Sequence, residues 1–162
     1  MKTSQLGIDL IKHYEGVFLT PYLCPANVVT CGIGHVIRDN NGEAYKGDGG
    51  LTEVLKSIKS ITEDQAVEWL KDDLVEAESQ LNKLNLNLKQ YEFDALISFI
   101  FNCGFRNFEQ SRLLRMVKTR IGDIEYAFSL WNKSSGKVLP GLVARRKSEW
   151  VLFSTGELKF FN

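Results

Sequence analysis

Glu15 stands in the run His13-Tyr14-Glu15-Gly16, where a helical pattern gives way to a glycine-punctuated segment. Leu6, Leu10, Ile11 and Tyr14 recur at helical spacing after Ser4, and Gly16 supplies the stop, so Glu15 falls in the last turn. The helix dipole is negative there and disfavours an anion, which favours the protonated form that a general acid uses. Carboxylates at helix ends are usually solvated surface groups, so the residues that follow decide the reading. Cys24 and Thr30 flank a Pro25-Ala26-Asn27 break, nine and fifteen residues after Glu15. An acid, a nucleophilic sulfur and a hydroxyl on one short segment form a candidate catalytic site.

The elements that must position these groups follow from the surrounding pattern. Gly16 to His35 carries apolar, β-branched stretches on both sides of the Pro-Ala-Asn break and reads as a β-hairpin. In its second arm Val29, Cys31 and Ile33 alternate with Thr30, Gly32 and Gly34. Thr30 therefore lies on a face whose later positions have no side chain, where another group can approach the backbone. Residues 36–60 offer only turn chemistry, at Asn40-Asn41-Gly42 and Gly47-Asp48-Gly49-Gly50. Thr62-Glu63-Asp64-Gln65 reads as a capping box opening a helix over 62–82, with Ala66, Trp69, Leu70, Leu74, Ala77 and Leu81 on one stripe. Gln90 to Cys103 is apolar nearly all round, as a helix buried on most sides would be, and Gly104 ends it. Shorter helices are expected at about 107–118, 122–131 and 141–154.

Glu15, nine residues to Cys24, six more to Thr30 and then Gly32-Ile33-Gly34-His35 resembles the signature of the phage-type lysozymes, glycoside hydrolase family 24. The resemblance continues through Leu88 to Phe108, Ser111-Arg112-Leu113-Leu114, Trp131-Asn132-Lys133 and Gly136 to Arg146, covering about residue 5 to Phe153 in family order. It implies an α+β, mainly α, lysozyme-like two-lobed fold: one domain over 1–162, with a β-hairpin lobe at about 16–60 and a helical lobe from 1–15 and 61–162. It also implies a peptidoglycan cleft between the lobes.

Composition agrees with one globular enzyme. The chain has 162 residues, 44% hydrophobic and 25% charged, enough to bury a sizeable core. No apolar run approaches the ~20 residues of a membrane helix, so no stable membrane insertion is expected. Met1 to Gln5 shows no apolar signal core. The expectation is synthesis in the cytoplasm and action on periplasmic wall after release; a holin partner is implied by resemblance alone. Three cysteines argue against a disulfide framework, and Cys31 and Cys103 read as buried thiols in apolar surroundings. The formal net charge is zero, which gives no support for nucleic-acid binding and no net pull toward an anionic wall. Arg112, Arg115, Lys118 and Arg120 form the main basic run, read as a solvated helix face. The two histidines have no Cys or His at ligand spacing, so neither a metal nor another cofactor is expected. A monomer is expected.

By resemblance the substrate partner is peptidoglycan and the reaction is muramidase cleavage of the β-1,4 bond between N-acetylmuramic acid and N-acetylglucosamine, with Glu15 as general acid. Such hydrolysis usually employs two carboxyls, and this chain has Cys24 at the second position. Cys24 can attack the anomeric carbon, or with Thr30 orient the attacking water. The second is the reading here, since nothing nearby in sequence would stabilise a thiolate. Arg145 matches a basic family position that contacts the catalytic Glu. His35 matches a position that pairs with Asp73, a pair that would add stability at low pH. Asn102 and Asn132 are implied saccharide partners, although Asn102 can equally serve the turn at Gly104. A phage or prophage endolysin is the implied setting. A lytic transglycosylase leaving anhydromuramic ends and a non-catalytic wall-binding module are the alternatives.

Overall fold

The computed structural model describes all residues, Met1–Asn162, and the chain divides into two compact units. One comprises Glu15–Asp73 and the other Met1–Tyr14 with Leu74–Asn162. Helix α1 (Gln5–Glu15) and helix α3 (Glu63–Lys83) each run through a unit boundary.

Within Glu15–Asp73, strands β1 (Phe18–Leu23), β2 (Val29–Gly32) and β3 (His35–Val36) form an antiparallel sheet in that order. The hairpin is present as expected, with a third strand added. One face supplies the core: Val29, Cys31, Ile37 and Val54 are buried, with Leu23, Leu51, Ile61 and Trp69 packed against them. The stretch read as turns contains helix α2 (Gly47–Ser57). Its glycines disfavour a helix by about 1 kcal/mol each. Leu51 and Val54, three residues apart, pack on the sheet core and override that preference. The Thr62 Oγ1 accepts the Gln65 backbone N–H at 3.2 Å, so the N-cap half of the capping box forms.

The other unit is helical. Helix α4 (Gln90–Cys103) is buried along Phe93, Ala95, Leu96, Ile97, Phe99 and Ile100. Gly104, at φ +83°, ends it, with its N–H bonded to the Ile100 carbonyl. The helix expected at 107–118 is two, α5 (Phe105–Glu109) and α6 (Arg112–Thr119). Ser111 parts them: its Oγ donates to the Phe108 carbonyl and accepts from the Leu114 N–H, closing one helix and capping the next. Asp123 caps α7 (Ile124–Ser129) by accepting the Tyr126 N–H at 2.8 Å. A short hairpin, β4 (Lys133–Ser134) and β5 (Lys137–Val138), precedes α8 (Pro140–Thr155). No helix is long and apolar enough to cross a membrane.

The polar groups buried among these helices are paired. Asp94, fully buried, accepts from the Ser4 backbone and hydroxyl, and Glu78 accepts both the N–H and hydroxyl of Thr3. Glu149 is fully buried between Arg146, whose Nε lies 2.7 Å away, and Arg145 at 3.3 Å, and it accepts the Ser98 hydroxyl. A buried ion pair of this kind holds only while each partner remains.

Candidate active site

The first unit assembles Glu15, Cys24 and Thr30. Helix α1 ends at Glu15 because Gly16 takes φ +78°, a backbone that side chains rarely adopt. The β1–β2 turn is closed by the Cys24 N–H to the Val28 carbonyl at 3.0 Å and the Asn27 N–H to the Cys24 carbonyl at 2.8 Å. Asn27 accommodates the left-handed conformation, at φ +60°. In register Tyr22 pairs with Thr30 and Leu23 with Val29. Leu23, Val29 and Cys31 therefore face the core, while Tyr22, Cys24 and Thr30 share the other face.

This turn surrounds the Cys24 thiol with polar groups that shift its pKa. The Val28 backbone N–H pulls its pKa below the ordinary thiol value, burial opposes that, and the Ala26 N–H, the Thr30 hydroxyl and its own N–H add to the lowering. The sequence reading that nothing nearby would stabilise a thiolate is therefore corrected: the donors are backbone groups, which side-chain identities do not reveal. Thr30 is 4% exposed, and its hydroxyl donates to the Val28 carbonyl at 3.2 Å.

The approach expected at the glycines beside Thr30 is made by the protein itself. A side chain at Gly32 would meet Ala66 at 3.3 Å, so the group that approaches this glycine is helix α3.

Tyr22 was missed from sequence. Burial, and then the negative charges of Cys24, Glu15 and Cys31, push its phenol up. The acid and the thiol thus lie within electrostatic reach of the phenol. The signal was available, since Tyr22 and Cys24 are two apart on one strand. His35 and Asp73 do pair, with Nδ1 2.9 and 3.1 Å from the two carboxylate oxygens, and the imidazole lies 4.8 Å from the Trp69 ring.

The remaining expected residues belong to the other unit. Arg145 is 2% exposed on α8, bonded to Glu149 and the Ser98 carbonyl, with its guanidinium 5.9 Å from the Tyr14 ring. Asn102 is exposed and lines a crevice of about 480 Å³ with Asn107, Trp131, Lys133 and Leu142. The α4 end is served by Asn107, whose amide donates to the Cys103 carbonyl at 2.7 Å, and not by Asn102. Asn132 lines a separate pocket of about 180 Å³ with Val143, Arg146 and Trp150. Cys103 is a second correction to the thiol reading: it is half-buried, and the Arg146 guanidinium lies 2.9 Å from its sulfur. Cys31 is a buried free thiol, as expected.

The chain and its fold have counterparts among known proteins. The sequence pattern of the phage lysozyme family matches residues 12–149. The chain belongs to the phage lysozyme family. This is a family of glycoside hydrolases, and the resemblance drawn from the motifs is met, as is the α+β, mainly α fold. An endolysin of Bacillus phage PZA is 38% identical over 98% of this chain and 57% of its own length. The chain thus spans a little over half of that relative. The solved endolysin from Escherichia coli O157:H7 phage FAHEc1 has a TM-score of 0.81 and 27% identity, covering 98% of this chain and 97% of that one. The muramidase domain of SpmX from Asticaccaulis excentricus has a TM-score of 0.76 and 32% identity, covering 95% and 98%.

Proposed function

We propose that this phage lysozyme is a muramidase that hydrolyses the β-1,4 bond between N-acetylmuramic acid and N-acetylglucosamine in peptidoglycan. The observation that carries the reading is that Cys24 and Thr30 share one face of the β1–β2 hairpin that follows Glu15, the last residue of α1. A 32% identical solved structure named as a muramidase domain supports the choice of bond. Glu15 protonates the leaving glycosidic oxygen. Hydrolysis needs a second group on the opposite face of the sugar, a carboxylate in the usual scheme. Cys24 takes that place. Its pKa is drawn below the ordinary thiol value, which favours its role as the base. It takes a proton from the attacking water. Thr30 acts through the turn that carries Cys24, its hydroxyl donating to the Val28 carbonyl, and so is a positioning residue.

His35 and Asp73 brace the start of β3 against α3 and stay out of the chemistry. Asn102 and Asn132 are proposed saccharide contacts, each in its own crevice. The setting is lysis of a bacterial host at the end of phage growth, after release to the wall through a holin.

The anomeric configuration of the first-formed product, followed by NMR, tests this assignment of Cys24. Inversion is expected, with Cys24→Ala reduced by about 10²-fold or more and Cys24→Asp partly active. Retention with a sugar adduct on Cys24 would make the sulfur a nucleophile instead. Full activity of Cys24→Ala would remove the thiol from the mechanism.

A further inference from the structure

Tyr22 carries a role that neither the spacing motif nor the two-group mechanism assigns. It lies on β1 two residues before Cys24 and directly opposite Thr30, on the face turned away from the hydrophobic core. Its ring is half-buried and braced by Phe18, whose centroid is 4.6 Å away. Its oxygen makes no hydrogen bond to the protein, whereas the other half-buried phenol beside Glu15, that of Tyr14, bonds Ser148 and the Phe161 carbonyl. Amphipathic phenols held in one orientation usually find a partner for the O–H. Here the partner must come from outside the chain.

We propose that Tyr22 is a further catalytic residue whose phenol O–H donates to the 2-acetamido carbonyl of the N-acetylhexosamine bound at Cys24. This deepens the muramidase reading and rests on it. Cys24 addresses the anomeric carbon, so a donor beside it meets the substituents carried by that carbon and by its neighbours. The ring oxygen becomes electron-poor as the glycosidic bond breaks and rejects a donor. The 2-acetamido carbonyl, on the adjacent carbon, is a strong neutral acceptor. The negative groups around the phenol keep it protonated and so keep it a donor.

The test uses Glu15→Gln protein, which holds sugar without cleaving it, with and without Tyr22→Phe. Binding of tetra-N-acetylchitotetraose and of its fully de-N-acetylated form is measured by calorimetry. Phenylalanine keeps the contact with Phe18, and an unchanged melting temperature verifies the fold. Tyr22→Phe is expected to weaken the acetylated tetramer about fivefold, as loss of one net hydrogen bond would, and to leave the de-N-acetylated tetramer unaffected. Equal affinity for the acetylated tetramer in both proteins, an equal penalty on both sugars, or no binding by either protein would overturn the proposal. The muramidase reading fails separately, if the wild-type chain releases no products from peptidoglycan, because the binding contrast does not depend on cleavage.

Discussion

Cys24 owes its character to the turn that carries it. The polar groups of the turn, the Val28 backbone first, lower its pKa in the folded chain relative to the unfolded one. Ionised Cys24 therefore stabilises the fold fully above the unfolded thiol range, and that contribution is lost as pH falls through the lower folded value. Cys31 and Cys103 move the other way, because burial pushes both thiols up. Iodoacetamide followed by peptide mass analysis is expected to modify Cys24 first, with a midpoint below pH 9, the ordinary thiol value. Thr30→Val removes one donor without changing shape greatly and should raise that midpoint. An unchanged midpoint would mean that Thr30 does not act on the thiol. The spacing from Glu15 to Cys24 and Thr30 was legible in the sequence. The state of the thiol was not, since the Val28 and Ala26 N–H groups belong to the backbone and carry no residue signature.

At the level of elements, the long stripes were readable and the short breaks were not. The apolar girth of Gln90 to Cys103 announced α4, because only a helix packed on most sides can bury so many large residues. Helix α2 was hidden by Gly47, Gly49 and Gly50, whose turn chemistry outweighed Leu51 and Val54 in a short window. The α5–α6 break was equally hidden, because Ser111 does its work as a cap inside a pattern that reads as one helix. Ser111→Ala is expected to cost about 1 kcal/mol, read as a lower urea midpoint. The Glu149 cluster is more severe. Glu149→Gln leaves two buried guanidinium groups without their counter-charge and should destabilise by about 3–5 kcal/mol. A thermal melt close to wild type would show that the network is not needed for folding.

Across the whole molecule twenty cationic and twenty anionic side chains balance, so pH reaches stability through particular pairs more than through net charge. Burial works against the anion of Glu92, yet Arg120 and the Lys89 N–H overcome it and hold its carboxyl below the usual range. Glu78 is held low in the same way by Lys2 and Thr3. Both contributions are present above the unfolded carboxylate value and are lost as pH falls through the folded ones. Glu92→Gln should therefore be less stable than wild type at neutral pH, with the gap narrowing in acid; a constant gap across a denaturation series would contradict this. Arg120 is consumed by the Glu92 pair, which leaves Arg112, Arg115 and Lys118 as the exposed basic face of α6. The central claim concerns bond cleavage by Glu15. Mass spectrometry of muropeptides from purified Gram-negative peptidoglycan, digested by wild type and by Glu15→Gln, tests it most directly. Reducing muramic-acid ends that fall by about 10²–10⁴-fold in Glu15→Gln are the predicted result. Anhydromuramic ends, or undiminished release by Glu15→Gln, would contradict it.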